Sequence, residues 1–108
     1  MYEFGKIVLV PFPFTNLRST KLRPALIVSK ENNLRDDLIV CFIGSAKNTR
    51  FVCTKIKSNQ ETGLKVDSFV YFDKVATLNK KIILGELGKI NDSFIIKNRD
   101  AFFEVFGF

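Results

Sequence analysis

Residues 5–29 read GKIVLVPFPFTNLRSTKLRPALIVS, two apolar runs flanking a polar loop. The second run opens on Arg23-Pro24. A residue that precedes proline is pushed out of the helical region, so Arg23 is expected to be extended. Pro24 has no N–H and suits the first residue of a strand better than its middle. The pattern predicts two strands joined by a loop, with a guanidinium at the entrance to the second. Arginine presents a planar fork of donors and does not deprotonate, which suits it to gripping a phosphate.

Short β-rich runs continue outward from this pair. After strands at 6–11 and 25–29, further strands are expected at 38–43, 50–57, 68–75 and 85–90, separated by turn-rich segments. In the fourth run Val52, Thr54 and Ile56 alternate with Cys53, Lys55 and Lys57, which suggests one wet face. The period then changes. Asn91 and Asp92 are good helix N-caps, and Phe94, Ile95, Ile96, Ala101, Phe102, Val105 and Phe106 recur at helical spacing up to a stop at Gly107. Strands first and a helix last predict an α+β, mostly β fold: a small antiparallel barrel with a C-terminal helix, one domain over residues 1–108. Closure suits so short a sheet because it removes exposed edges.

Composition narrows the function classes. The net charge of +6 is uneven: residues 1–60 carry 10 Lys and Arg against 4 Asp and Glu, and residues 61–108 carry 7 against 7. The excess lies in the half that holds Arg23, which favours an anionic partner, nucleic acid first; plain solubility is the alternative. Twelve phenylalanines without a tryptophan are many for a small domain to hide, so some are expected in a subunit interface. Cys41 and Cys53 both sit in apolar strands, where a disulfide needs neighbouring strands and buried reduced thiols are the expected state. With no histidine and only two cysteines, neither a zinc site nor any other cofactor is expected. No segment approaches the roughly 20 apolar residues of a membrane helix, and the chain is expected in the cytoplasm.

The segments GKIVLVPFPFT, KLRPALIVS, DDLIVCFIGS, DSFVYFDKVATLNK and LGKIND, in that order, resemble the MazF/PemK toxins of bacterial toxin–antitoxin modules. The resemblance implies an SH3-like barrel related to the gyrase poison CcdB, a homodimer, and metal-independent cleavage of single-stranded RNA. It also implies inhibition by a cognate antitoxin whose disordered tail fills the RNA groove. The family's catalytic arginine, in the Arg-Pro pair, matches Arg23. Its hydroxyl partner is usually a threonine after the isoleucine that ends the third strand; here the segment reads Ile43-Gly44-Ser45-Ala46, with Gly44 in that place and Ser45 the nearest hydroxyl. One step along a strand reverses the face, so Ser45 can serve only where the strand ends or bulges. Ala76 stands where many relatives carry arginine.

Cleavage by attack of RNA's own 2′-hydroxyl needs in-line positioning and cover for charge growing on the phosphate oxygens. Arg23 can give that cover through bidentate hydrogen bonds. Ser45 either holds a phosphate oxygen or caps local backbone. Asp73 is, by family analogy, the nearest carboxylate; it or solvent takes the proton, unless it is simply a solvated or ion-paired strand residue. Phe12 is placed to stack on an unpaired base, whereas Phe14 reads as a core or dimer contact. Thr15, Asn16, Arg18, Ser19, Thr20 and Lys21 form a polar, basic loop, and Lys47, Asn48 and Arg50 extend the basic surface after Ser45, together a possible phosphate track. A non-catalytic RNA- or antitoxin-binding module is the alternative, with Gly44 having removed catalysis. A faint third reading is a gyrase poison, from the tail Phe106-Gly107-Phe108.

Overall fold

The computed structural model describes residues 2–12 and 21–107. Among these, six strands precede one α-helix: β1 (Lys6–Phe12), β2 (Lys21–Ile27), β3 (Asp37–Gly44), β4 (Cys53–Ile56), β5 (Ser68–Asn79), β6 (Gly85–Lys89) and α1 (Asp92–Glu104). A single 3-10 turn, Lys80–Ile82, separates β5 from β6. The strands form one antiparallel sheet in the order β4-β5-β3-β2-β1-β6. Each expected element is present, with several ends shifted by one or two residues and three larger changes. β2 starts at Lys21, so Arg23 and Pro24 lie inside the strand rather than at its entrance. β4 is short, because Val52 N–H goes to the Asp73 carboxylate instead of to a ladder partner. β5 runs on to Asn79, paired with β3 down to Asp37.

The three middle apolar runs lack clean alternation because both faces of the curled sheet are covered. Ile7, Leu26, Cys41, Ile43, Val70 and Phe72 pack together on one side. Val8, Val10, Ala25, Ile27, Val40 and Phe42 form a second cluster on the other. The helix lies against the first cluster. Asn91 caps it, its side-chain oxygen accepting Phe94 N–H at 2.8 Å. Its half-buried Phe94, Ile95, Ala101, Phe102 and Val105 reach the sheet, with the Phe102 ring edge-on to Phe72 at 5.8 Å between centroids.

The outer strands β4 and β6 are not paired with each other. The β4–β5 loop closes the gap instead. Its Glu61 carbonyl accepts Lys89 N–H at 2.9 Å, on the open side of β6. The loop is stiffened from within: Thr62, buried, donates its hydroxyl to Lys57 O at 2.8 Å, and Asn59 Oδ1 accepts Thr62 N–H at 2.8 Å. Gly63 and Gly88 sit where the two backbones meet, and a Cβ on either would overlap main-chain atoms of the other segment. The barrel's closure is thus a loop-to-strand contact that only glycine permits.

The cysteines are both free. Cys41 is on β3 and Cys53 on β4, with β5 between them, so the neighbouring strands that a disulfide requires are not there. Burial, and then the nearby Asp73 carboxylate, push the Cys41 thiol up to about 12. The folded protein holds this proton more tightly than the unfolded chain does. Its contribution to stability is therefore complete below the ordinary thiol range, near pH ~8.5, and is lost as pH rises toward 12. Iodoacetamide at pH 8 is expected to label the half-buried Cys53 in the native protein and Cys41 only in denaturant. Equal labelling of both in native protein, read by mass spectrometry, contradicts this.

Candidate active site

The site begins with a ladder that stops. β2 and β3 pair only from Ala25↔Phe42 to Ile27↔Val40. Val28 N–H donates to Ile39 O, toward β3. Backbone groups alternate along a strand, so Leu26 and Pro24 face β3 as well, and Pro24 has no hydrogen to offer. The first half of β2 keeps β1 as its partner, with Arg23 opposite Val10 and Pro24 opposite Leu9, and presents a free edge to β3. That is why a proline is tolerated in the middle of an inner strand.

Where the strands part, two solvent-open hollows form, of about 370 and 350 Å³. Arg23, Gly44 and Ser45 line both, so they stand on the seam between them. The larger hollow also takes Asn48, Tyr71 and Lys74. Among its described lining residues are two cations and no carboxylate. Arg23 is half-buried, and none of the ion pairs among the described residues involves it; these join Lys6 to Glu86, Arg35 to Asp37 and Lys55 to Asp67. Among the described residues no carboxylate occupies the guanidinium, which leaves it open to an anionic ligand.

Gly44 is the last residue of β3, opposite Phe69, and Ser45 follows the strand end. Ser45 is exposed and makes no hydrogen bond to a described residue, so its hydroxyl is not used up as a local cap. The irregularity in this ladder lies on β5, not at Gly44. Between the pairs Cys41↔Val75 and Ile43↔Val70, Phe42 alone faces Tyr71, Phe72, Asp73 and Lys74. This bulge sends the four side chains different ways. Phe72 joins the first core, Asp73 accepts Val52 N–H at 3.1 Å, and Tyr71 and Lys74 enter the larger hollow.

Tyr71 is buried, and its hydroxyl holds the loop that carries Ser45: it donates to Ala46 O and accepts Asn48 N–H at 3.1 Å. Asn48 lines the hollow, but its side-chain oxygen already takes Arg50 N–H at 3.1 Å. Asp73 lines neither hollow, and Lys21 and Lys47, though exposed, do not either. Thr15, Asn16, Arg18 and Ser19, with Phe14 and Thr20, lie outside the described residues, as do the Phe12 side chain and Phe108. Tyr71 and Lys74 were not among the expected site residues. In the run SFVYFDKV they look like strand core and solvent face, and the usable signal is that a buried tyrosine hydroxyl needs a partner.

A family model described as PemK-like, MazF-like toxin of type II toxin–antitoxin system matches residues 3–106. The chain belongs to this family. Solved structures share the fold of this MazF/PemK toxin at low identity. An endoribonuclease in complex with its cognate antitoxin, from a mycobacterial species, superposes with a TM-score of 0.79 at 18% identity, over 99% of this chain and 96% of that one. The Mycobacterium tuberculosis toxin MazF-mt6 gives 0.78 at 18% identity over 94% and 96%. MazF from Deinococcus radiodurans gives 0.77 at 17% identity over 99% and 97%. Comparison with curated protein sequences gave no match. The MazF/PemK barrel with its C-terminal helix is therefore the fold expected from the sequence.

Proposed function

We propose that this toxin is an endoribonuclease that cuts single-stranded RNA without a metal ion. The observation that carries the proposal is that Arg23 and Ser45 line the same two hollows where β2 and β3 part, with no carboxylate among the described residues paired to Arg23. Membership of the MazF/PemK family supports it. In the reaction the RNA 2′-oxygen forms a bond to the adjacent phosphorus, and the bond from phosphorus to the 5′-oxygen breaks. The upstream fragment ends in a 2′,3′-cyclic phosphate and the downstream one in a 5′-hydroxyl. Arg23 covers the charge that grows on the non-bridging oxygens, and Ser45 fixes one of them by a hydrogen bond. Asp73 lies outside the hollow, where it accepts Val52 N–H, so the 2′-hydroxyl proton passes to solvent and the departing 5′-oxygen takes one from solvent.

A cognate antitoxin that covers the same cleft, a homodimer and a cytoplasmic setting complete the proposal. The first is supported by the family description and by relatives of the same fold solved with their antitoxins. For the second, Phe4, Phe103 and Phe106 remain 45–48% exposed on the single chain. For the third, no helix among the described residues is long and apolar enough to cross a membrane.

Gly44 favours a second reading, a toxin-like binding module without catalysis. Incubation of purified protein with mixed-sequence RNA in EDTA, followed by mapping of the ends, separates the two. Cyclic-phosphate ends are expected from the wild type. An inert wild type made active by Gly44→Thr supports the binding module instead. The backbone accepts that change: Gly44 is not in the left-handed region, and a Cβ there would meet the Tyr71 ring at an ordinary 3.4 Å.

A further inference from the structure

We propose that Lys74 is a second backbone-binding cation of the site, gripping an RNA phosphate next to the one that Arg23 covers. The proposal rests on the nuclease reading above and assigns a further residue to that cleft.

The β5 bulge places Lys74 in the larger hollow with Arg23. Its ammonium lies 4.4 Å from the centre of the Phe51 ring and 5.0 Å from that of Tyr71, within cation–π range of both. The two rings meet edge to face, with centroids 6.0 Å apart, and so form a fixed corner. Tyr71 is buried and anchored through its hydroxyl to Ala46 and Asn48, which fixes that wall of the corner. Ring faces hold a cation in place without cancelling its charge as a carboxylate would. No ion pair among the described residues includes Lys74, and the neighbouring Asp73 carboxylate is turned to Val52 N–H. A flexible lysine is thereby held half-buried, facing a hollow that among the described residues offers one other cation and no anion. A polyanion that enters the larger hollow meets both Arg23 and Lys74. This also bears on Ala76, where the resemblance leads one to expect arginine: Ala76 packs against the second core cluster, and Lys74 supplies a positive charge two residues earlier on the same strand.

The test is the salt dependence of RNA binding. The probe is a mixed-sequence single-stranded oligonucleotide with every 2′-hydroxyl methylated, which cannot undergo the cleavage. Each phosphate contact contributes about 0.7 to the slope of log K against log salt for single strands. Lys74→Met is expected to lower the slope by about that amount, and Lys74→Arg to restore it. On cleavable RNA, Lys74→Met is expected to raise KM while kcat is kept, because this contact is the same in ground and transition states. An unchanged melting temperature confirms that the variant is folded. Binding with the wild-type slope in Lys74→Met overturns the proposal and leaves the nuclease reading standing. A wild type that binds with the full slope but never cuts ends the nuclease reading while the Lys74 result still stands. No RNA binding by the wild type overturns both.

Discussion

Arg23→Ala is expected to lower RNA cleavage by about 10²–10³-fold, the usual loss when one preorganised donor to a developing oxyanion is removed. The melting temperature is expected to stay where it is. Arg23 makes no ion pair among the described residues, so no buried partner is orphaned by its loss. Arg23→Lys is expected to recover only part of the rate, since an ammonium keeps the charge but not the planar fork. Initial rates on one defined RNA, alongside thermal melts of the three proteins, check this. Full activity in the alanine variant removes Arg23 from the mechanism. Lost activity with a collapsed melting temperature would make it a structural residue instead.

The second large effect concerns the fold. Gly63→Ala is expected to destabilise the protein by about 3–5 kcal/mol, combining left-handed backbone strain with overpacking. Gly63 has φ +69°, and a Cβ there would overlap the Leu87 carbonyl. Gly88→Ala should do comparable damage from the other side, against the main chain of Glu61 and Thr62. Both changes push the β4–β5 loop off β6 and reopen the seam that closes the barrel. Such a loss is a large share of the ~5–15 kcal/mol that holds a domain of this kind together. Gly85→Ala is the control, because its Cβ would meet nothing within 4 Å. Urea midpoints decide the matter: three similar values would show that the glycine contact does not carry the closure.

The strands and the helix were legible because each rests on a local signal. IVLV, PALIV and LIVCFI are apolar and β-branched, and Asn91 stands at the turn into an amphipathic run whose cap it forms. Strand ends were less legible, because they depend on a partner. Lys21 and Leu22 are exposed and extended only because β1 lies beside them. β4 loses its first residues to a hydrogen bond that Val52 N–H donates to Asp73, 21 positions away in sequence. The site shows the same division. Arg23 is singled out in the sequence by the proline that follows it, and Ser45 by the family resemblance, as the hydroxyl nearest the expected threonine; the structure lines the same two hollows with both. Tyr71 and Lys74 are not singled out, because a bulge in β5 turns them into the hollow, and alternation along a single strand does not foretell a bulge.

Pro24 gives the cleft a property that no side chain could. Among the described residues, the β2–β3 ladder ends where the imide nitrogen of Pro24 has no hydrogen to donate. If the proposed nuclease takes its strand here, no β2–β3 hydrogen bond at Pro24 has to be broken for the strand to enter. A residue with an amide hydrogen at position 24 would let the two strands zip one pair further and narrow the entrance from its inner end.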